Sequence, residues 1–156
     1  QVTIRCGLRP LSPERKLSLA LQAAQVLEGI ARNESPVFNS QTAMPSLIEV
    51  LRTASSEELR AAAGSTLSWM NAPQAQQAIA GIALAAKESE SLRITTFALL
   101  ADSARRFGAQ LDEGLTSRLM EQAVGEPNLT LRTAASQAMG ATNPPVERIL
   151  SIIMGK

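Results

Sequence analysis

Apolar residues recur at spacings of three and four along most of this chain, and short polar runs containing Ser, Asn, Gly or Pro interrupt them. The clearest such stretch is Gly125 to Gly140, GEPNLTLRTAASQAMG, which reads as the turn and second helix of a helical hairpin. Glu126-Pro127-Asn128 stops one helix, and Asn128 can cap the next by accepting a backbone N–H from its first turn. Leu131, Ala134, Ala135 and Ala138 then share one face, where small alanines let a neighbouring helix approach closely.

The same order occurs twice upstream, in Glu58-Leu59-Arg60-Ala61-Ala62-Ala63 and in Ser91-Leu92-Arg93-Ile94-Thr95-Thr96. Aligning the Leu-Arg pairs puts Leu59, Leu92 and Leu131 in one column, Ala62, Thr95 and Ala134 in a second, and Leu67, Leu100 and Met139 in a third. The offsets between the leucines of the first column are 33 and 39 residues, a spacing at which helical repeats stack.

The remaining segments fit between these copies. Ser12-Pro13-Glu14 predicts a helix start, with Ser as cap, Pro at the first helical position and an acid near the positive end of the dipole. That helix runs to Arg32 and carries Leu17, Leu21, Ala24, Leu27 and Ile30 inward, and a loop follows over residues 33–40. The first hairpin pairs a helix over residues 42–53, with Leu47, Ile48 and Leu51 apolar, with one ending near Met70; Ser55 and Glu58 have the spacing of a capping box. The second pairs residues 73–87, apolar at Ala78, Ile79, Ile82 and Ala86, with residues 91–107, and Gly108 ends it behind Arg105 and Arg106. The third opens at a cap, Asp112, and carries Leu115, Leu119 and Ala123. Asn143-Pro144-Pro145 starts a final helix with Val146, Ile149, Leu150 and Ile153 on one face.

Together these residues resemble HEAT-type or HEAT-like repeats, in which the second helix opens with an acid-Pro turn, an apolar-Arg pair and two alanines. Glu126-Pro127 and Leu131-Arg132-Thr133-Ala134-Ala135 carry the resemblance, which covers residues 41–154. It implies an all-α fold, a right-handed α-α superhelix of three to four helical hairpins, with about eight helices stacked antiparallel. Six residues before the arginine, where that family carries Asp, the first two copies have Ala54 and Lys87. The resemblance therefore carries no Asp-Arg ladder to this chain. The alternative is an irregular helical bundle without true repeats.

Composition narrows the function more than it identifies it. Only 3% of residues are aromatic and 45% are hydrophobic, so packing must rest on many small helix contacts. The net charge of +1 offers no broad attraction for phosphates, so nucleic acid is not an expected partner. With no histidine, the usual general base, the commonest metal ligand and the middle member of a catalytic triad are missing. The single cysteine, Cys6, rules out a multi-cysteine metal site and an internal disulfide, and is expected to be inert. No Gly-rich phosphate loop is present. The sequons at Asn33 and Asn128 are short enough to arise by chance, and Asn128 is better explained as a cap.

No apolar run is long enough to span a bilayer and no signal-peptide pattern is present, so a soluble chain without membrane contact is expected, with a cytoplasmic location favoured. The chain opens on Gln1, which suggests an excised piece of a longer polypeptide. Residues 1–11, with their strand-like Val2-Thr3-Ile4-Arg5-Cys6, are expected to be a tail or linker ahead of a repeat domain over residues 12–156. Ile152 and Met154 add apolar surface to the last helix, from truncation or as a docking surface.

Trp69, the only tryptophan, aligns with Asp102, while Ser65 aligns with Ala98 and Gln137. These columns lie off the core face. If second helices line a concave surface as the resemblance implies, Ser65, Trp69, Ala98, Asp102, Arg105 and Gln137 form part of a shallow groove. A rigid aromatic beside an acid and an arginine is a set that anchors protein partners. The alternative is that Trp69 covers a neighbouring hairpin's edge. The expectation is a non-enzymatic scaffold or adaptor binding a protein or peptide, with no cofactor. The alternatives are an enzyme-associated role, since the resemblance extends to bilin lyases and helical-repeat DNA glycosylases, and a passive spacer between domains.

Overall fold

A computed structural model describes residues 11–33 and 39–143. The expected N-terminal tail, the final helix after Asn143 and its apolar end at Ile152 and Met154 lie outside the described residues. Among the described residues the fold is all-α: α1 (Pro13–Arg32), α2 (Met44–Thr53), α3 (Glu57–Ser68), α4 (Pro73–Ala83), α5 (Glu90–Phe107), α6 (Glu113–Gly125) and α7 (Leu129–Ala141). A 3₁₀ turn, Ser40–Ala43, leads into α2. No described helix is long and apolar enough to cross a membrane.

Helix ends follow local chemistry. Ser12, Ser56, Ser89, Asp112 and Asn128 each accept a backbone N–H from the first turn of the helix they precede. Pro occupies the start of α1, α2 and α4, where its missing N–H costs nothing. Three expectations need correcting. The cap of α3 is Ser56 and not Ser55, so the third residue beyond it is Leu59 and no Ser55–Glu58 capping box forms. The helix expected to reach Lys87 stops at Ala83, because residues 84–88 turn back on themselves and bring Glu88 to the start of α5. The serine capping α5 is Ser89, so that helix begins at Glu90.

α2 packs on α3, α4 on α5 and α6 on α7, giving three helical hairpins. Among the described residues each hairpin touches only its neighbours. Among the second helices, α3 contacts α5 and α5 contacts α7; among the first, α2 contacts α4 and α4 contacts α6. α1 packs on α3 from the other side, in the place of a second helix, so the stack begins half a unit early. This arrangement is repeat-like, each unit burying its apolar face against the next. One core runs through α2 to α7, with Leu51, Leu67, Ile79, Phe97, Leu100 and Leu119 fully buried. Ala63, Ala75, Ala80, Ala83, Ala135 and Ala138 are also fully buried, which is how a chain poor in aromatics brings its helices close. Gly64 marks the tightest approach: a Cβ there would stand 3.2 Å from Leu99 Cδ1.

An arginine four residues beyond the caps of α3 and α5 joins the units. Arg60 donates from Nε to the Leu51 carbonyl at 2.8 Å, tying α3 to α2, and pairs through Nη1 with Glu88 of the next hairpin at 2.6 Å. Arg93 repeats the pattern, with Nε 3.0 Å from the Ala83 carbonyl and Nη2 3.6 Å from Glu126 Oε2. The absence of an Asp at position minus six thus does not remove the ladder; glutamates of the following turns build it. Lys16 holds the equivalent place four residues beyond the cap of α1, and lines, with Glu14, Ser55 and Ser56, a cleft of about 550 Å³. At the α1–α3 junction the tie is instead a hydrogen bond from Thr66 Oγ1 to the Ala24 carbonyl at 3.1 Å.

The turn between α5 and α6 is held from below. Fully buried Gln76 donates from Nε2 to the Gly108 carbonyl at 2.8 Å and accepts from Gln110 N–H at 2.9 Å. Gly108 takes φ +77° and ψ 171°, a conformation open to little but glycine. Gly108→Ala is therefore expected to lower unfolding free energy by about 1–3 kcal/mol in urea titrations, although nothing crowds the added methyl.

The hydrogen bond from Arg60 holds the Glu88 carboxyl below its ordinary value of 4.5. A carboxylate depressed in the folded state adds stability above its unfolded-state pKa and loses it as the pH falls through the folded-state value. Glu88→Gln should therefore cost about 1.5–3 kcal/mol at neutral pH. The gap to the wild-type chain should narrow in chemical denaturation series taken from pH 6 down to about pH 3. A gap that stays constant with pH would mean that the pair contributes nothing through charge.

Candidate functional site

The second helices run side by side in one direction. Their caps lie along one rim, where Arg60 meets Glu88, and their ends along the other, where Arg106 near the end of α5 donates to the Ser68 carbonyl at the end of α3 at 3.0 Å. Counted from the caps, Ser65, Ala98 and Gln137 fall at equivalent places in α3, α5 and α7. Ala98 and Gln137 are exposed and Ser65 is half-buried, so this column faces away from the core. Asp102 and Arg105, one turn apart on α5, pair with each other at 2.6 Å, with side chains 45% and 59% exposed. An exposed pair of this kind contributes little to stability. Of the six residues expected to form a groove, these two are in contact; Ala98 lies one turn before Asp102, and Gln137 is on the neighbouring α7.

Trp69 has other company. It is the C-cap of α3, half-buried, and its ring carries the Arg106 guanidinium carbon at 3.5 Å from the centroid and that of Arg32 at 5.2 Å. The reason is helix length. α3 has 12 residues, while α1 has 20 and α5 has 18, so the neighbours outrun α3 and leave a notch at its end. Trp69 floors that notch, with Arg32 as the last residue of α1 and Arg106 the penultimate one of α5. Arg105, one residue earlier, points elsewhere, toward Asp102.

The notch is rigidly built. Arg106 stacks on the ring and simultaneously satisfies a carbonyl at the end of α3, where helical carbonyls lack intrahelical partners. Gln110 Nε2 donates to Asn71 Oδ1 at 2.7 Å, two residues beyond Trp69, so the turn is tied to the loop that Gln76 holds. Cations beside helix C-termini are favoured by the dipole, and a guanidinium over an indole face is favoured by the ring quadrupole.

Arg32 and Arg106 were not among the expected site residues. A signal was present, since α1 and α5 both end in basic residues. Pairing them with Trp69 required knowing that α3 is the shorter helix. Among the described residues no cluster of His, Cys, Asp or Glu has the arrangement of a metal site. No known family model, curated protein or solved structure matches this chain.

If Arg106 holds the indole in place, Arg106→Leu should shift Trp69 emission to longer wavelength, weaken its near-ultraviolet circular dichroism and cost about 1–2 kcal/mol. Arg105→Leu should leave all three readouts unchanged. Equal behaviour of the two variants would show that the stacking is incidental.

Proposed function

We propose that this chain is a non-catalytic binding module, a short HEAT-like α-solenoid that holds a protein or peptide partner on the surface formed by its second helices. The single observation that carries the reading is the accessible set Ala98, Asp102, Arg105 and Gln137 on the second helices of a cross-linked frame. α3, α5 and α7 pack on one another more extensively than α2, α4 and α6 do. A stack that is tighter on one layer curves toward that layer, which supports a concave second-helix side. A rigid surface loses little freedom on association, and a half-buried indole in a fixed pose is an anchor of the type found at interface centres. No residue needed for this role is a catalytic group, and none requires a cofactor.

The test is affinity capture from source-cell lysate with the wild-type chain and with a variant carrying Ala98→Glu, Arg105→Glu and Gln137→Glu, compared after both show the same helical content. These positions are solvent-facing, so the substitutions spare the core. The expected result is a partner retained by the wild type and depleted about ten-fold or more by the variant. Identical capture by both chains would leave the surface without a role and favour a spacer between domains.

A further inference from the structure

The Trp69 notch holds an electrostatic imbalance that points to the chemistry of what it binds. Two guanidinium groups share one indole ring, at 3.5 and 5.2 Å from its centroid. Their charges therefore stand within about 9 Å of each other, close to the Debye length at physiological salt and incompletely screened. Both side chains are exposed. Among the described residues neither pairs with a carboxylate: Glu28, one turn before Arg32, makes no ion pair with it, and Asp102 is held by Arg105 at 2.6 Å. Arg106 commits one N–H to the Ser68 carbonyl, and among the described residues its remaining donors and those of Arg32 have no protein acceptor.

The contrast with the buried arginines is sharp. Arg60 and Arg93 are each matched by a carboxylate and a carbonyl. Arg60 and Arg93 are buried with their charges neutralised; at the notch two arginines converge, and among the described residues no acid pairs with either.

We propose that the notch formed by Trp69, Arg32 and Arg106 is a docking point for an acidic peptide segment, whose carboxylates accept from the two guanidinium groups while its backbone or an apolar side chain rests on the indole edge. This deepens the reading of the second-helix surface as a binding surface and rests on it. A stacked guanidinium presents its donors around the ring perimeter as a planar fork, which suits a carboxylate held by two parallel bonds. Two acids at i and i+4 of a partner helix stand about 6 Å apart, a spacing the two guanidiniums can meet together. A nucleic acid or an anionic membrane would need a basic track. The third nearby cation, Arg105, is already paired, and the chain's net charge is only +1.

Trp69 is the only tryptophan in the chain, so its fluorescence reports on the notch directly. The experiment titrates the chain with an oligoglutamate peptide, with an oligoglutamine peptide of equal length, with inorganic phosphate and with phosphatidylserine vesicles. The expected result is a saturable fluorescence change with oligoglutamate alone, weakened by added salt. Arg32→Gln lies at the exposed end of α1 and should leave the fold intact while weakening binding about five-fold or more. Arg106→Lys keeps the charge but loses the planar fork, and should weaken binding as well.

An equal or tighter response to phosphate or to vesicles overturns the acidic-peptide assignment, and so does an oligoglutamate affinity unchanged by Arg32→Gln. If oligoglutamate gives no response while the Ala98, Arg105 and Gln137 variant still loses its captured partner, this inference fails and the binding-module reading survives. An oligoglutamate response with unchanged capture would do the reverse.

Discussion

The structure depends on an arginine placed four residues into each of two successive second helices. Its planar head does two jobs at once: one edge takes the carbonyl at the end of its own first helix, the other takes a glutamate from the turn of the next hairpin. A buried guanidinium is costly unless its charge is met, and here a glutamate and a carbonyl meet each one, although Arg60 Nη2 is left without a hydrogen-bond partner. The ladder therefore fixes how far each hairpin is slid along its neighbour. This matters because alanine-rich helix faces are smooth and permit several registers at similar cost, whereas a misplaced arginine would strand a charge.

With the register set at the cap rim, differences in helix length accumulate at the opposite rim. α1, α3 and α5 start from comparable caps, but α3 is the shortest, and the surplus length of its neighbours becomes the walls of a notch. A bulky indole fits there because it need not be accommodated between closely packed helices. Gln76, Gln110 and Asn71 then make the rim a connected polar network, with Gly108 providing the backbone conformation that lets the loop reach it. The stack is thus tied at both edges by different means, ion pairs of α3 and α5 at one and amide hydrogen bonds at the other.

What could be read from the sequence was what depends on neighbours along the chain. The leucine columns at 59, 92 and 131, the caps at Ser12, Asp112 and Asn128 and the stop at Gly108 all express periodicity or turn chemistry within a few residues. Choosing Ser56 over Ser55 was harder, since both are equally good acceptors and the difference lies in where the backbone leaves the extended conformation. α4 could not be ended correctly because Ala85 and Ala86 extend its pattern with no Gly or Pro to interrupt it. The ladder was missed for another reason. Glu88 pairs with an arginine 28 residues earlier in the chain, and no inspection of a single repeat reveals that bond. The companions of Trp69, Arg32 and Arg106, follow from the relative lengths of three helices and not from alignment columns.

Burial separates the roles that arginine plays in this chain. In the interior, leaving Arg60 or Arg93 without its glutamate would strand a desolvated charge, so these residues are committed to structure and have nothing left to offer a partner. At the rim, water solvates Arg32 and Arg106, the cost of an absent counterion is small, and the same donors stay available. The indole between them supplies a fixed platform and loses no rotamer freedom on binding, since Arg106 already holds it. The distribution of carboxylates among the described residues expresses the same division: each glutamate of the ladder stands where a charge is buried, and none pairs with the solvent-facing charges beside Trp69. A chain whose cations and anions are nearly equal in number could have balanced both places. Among the described residues it balances only the one where the charge is buried.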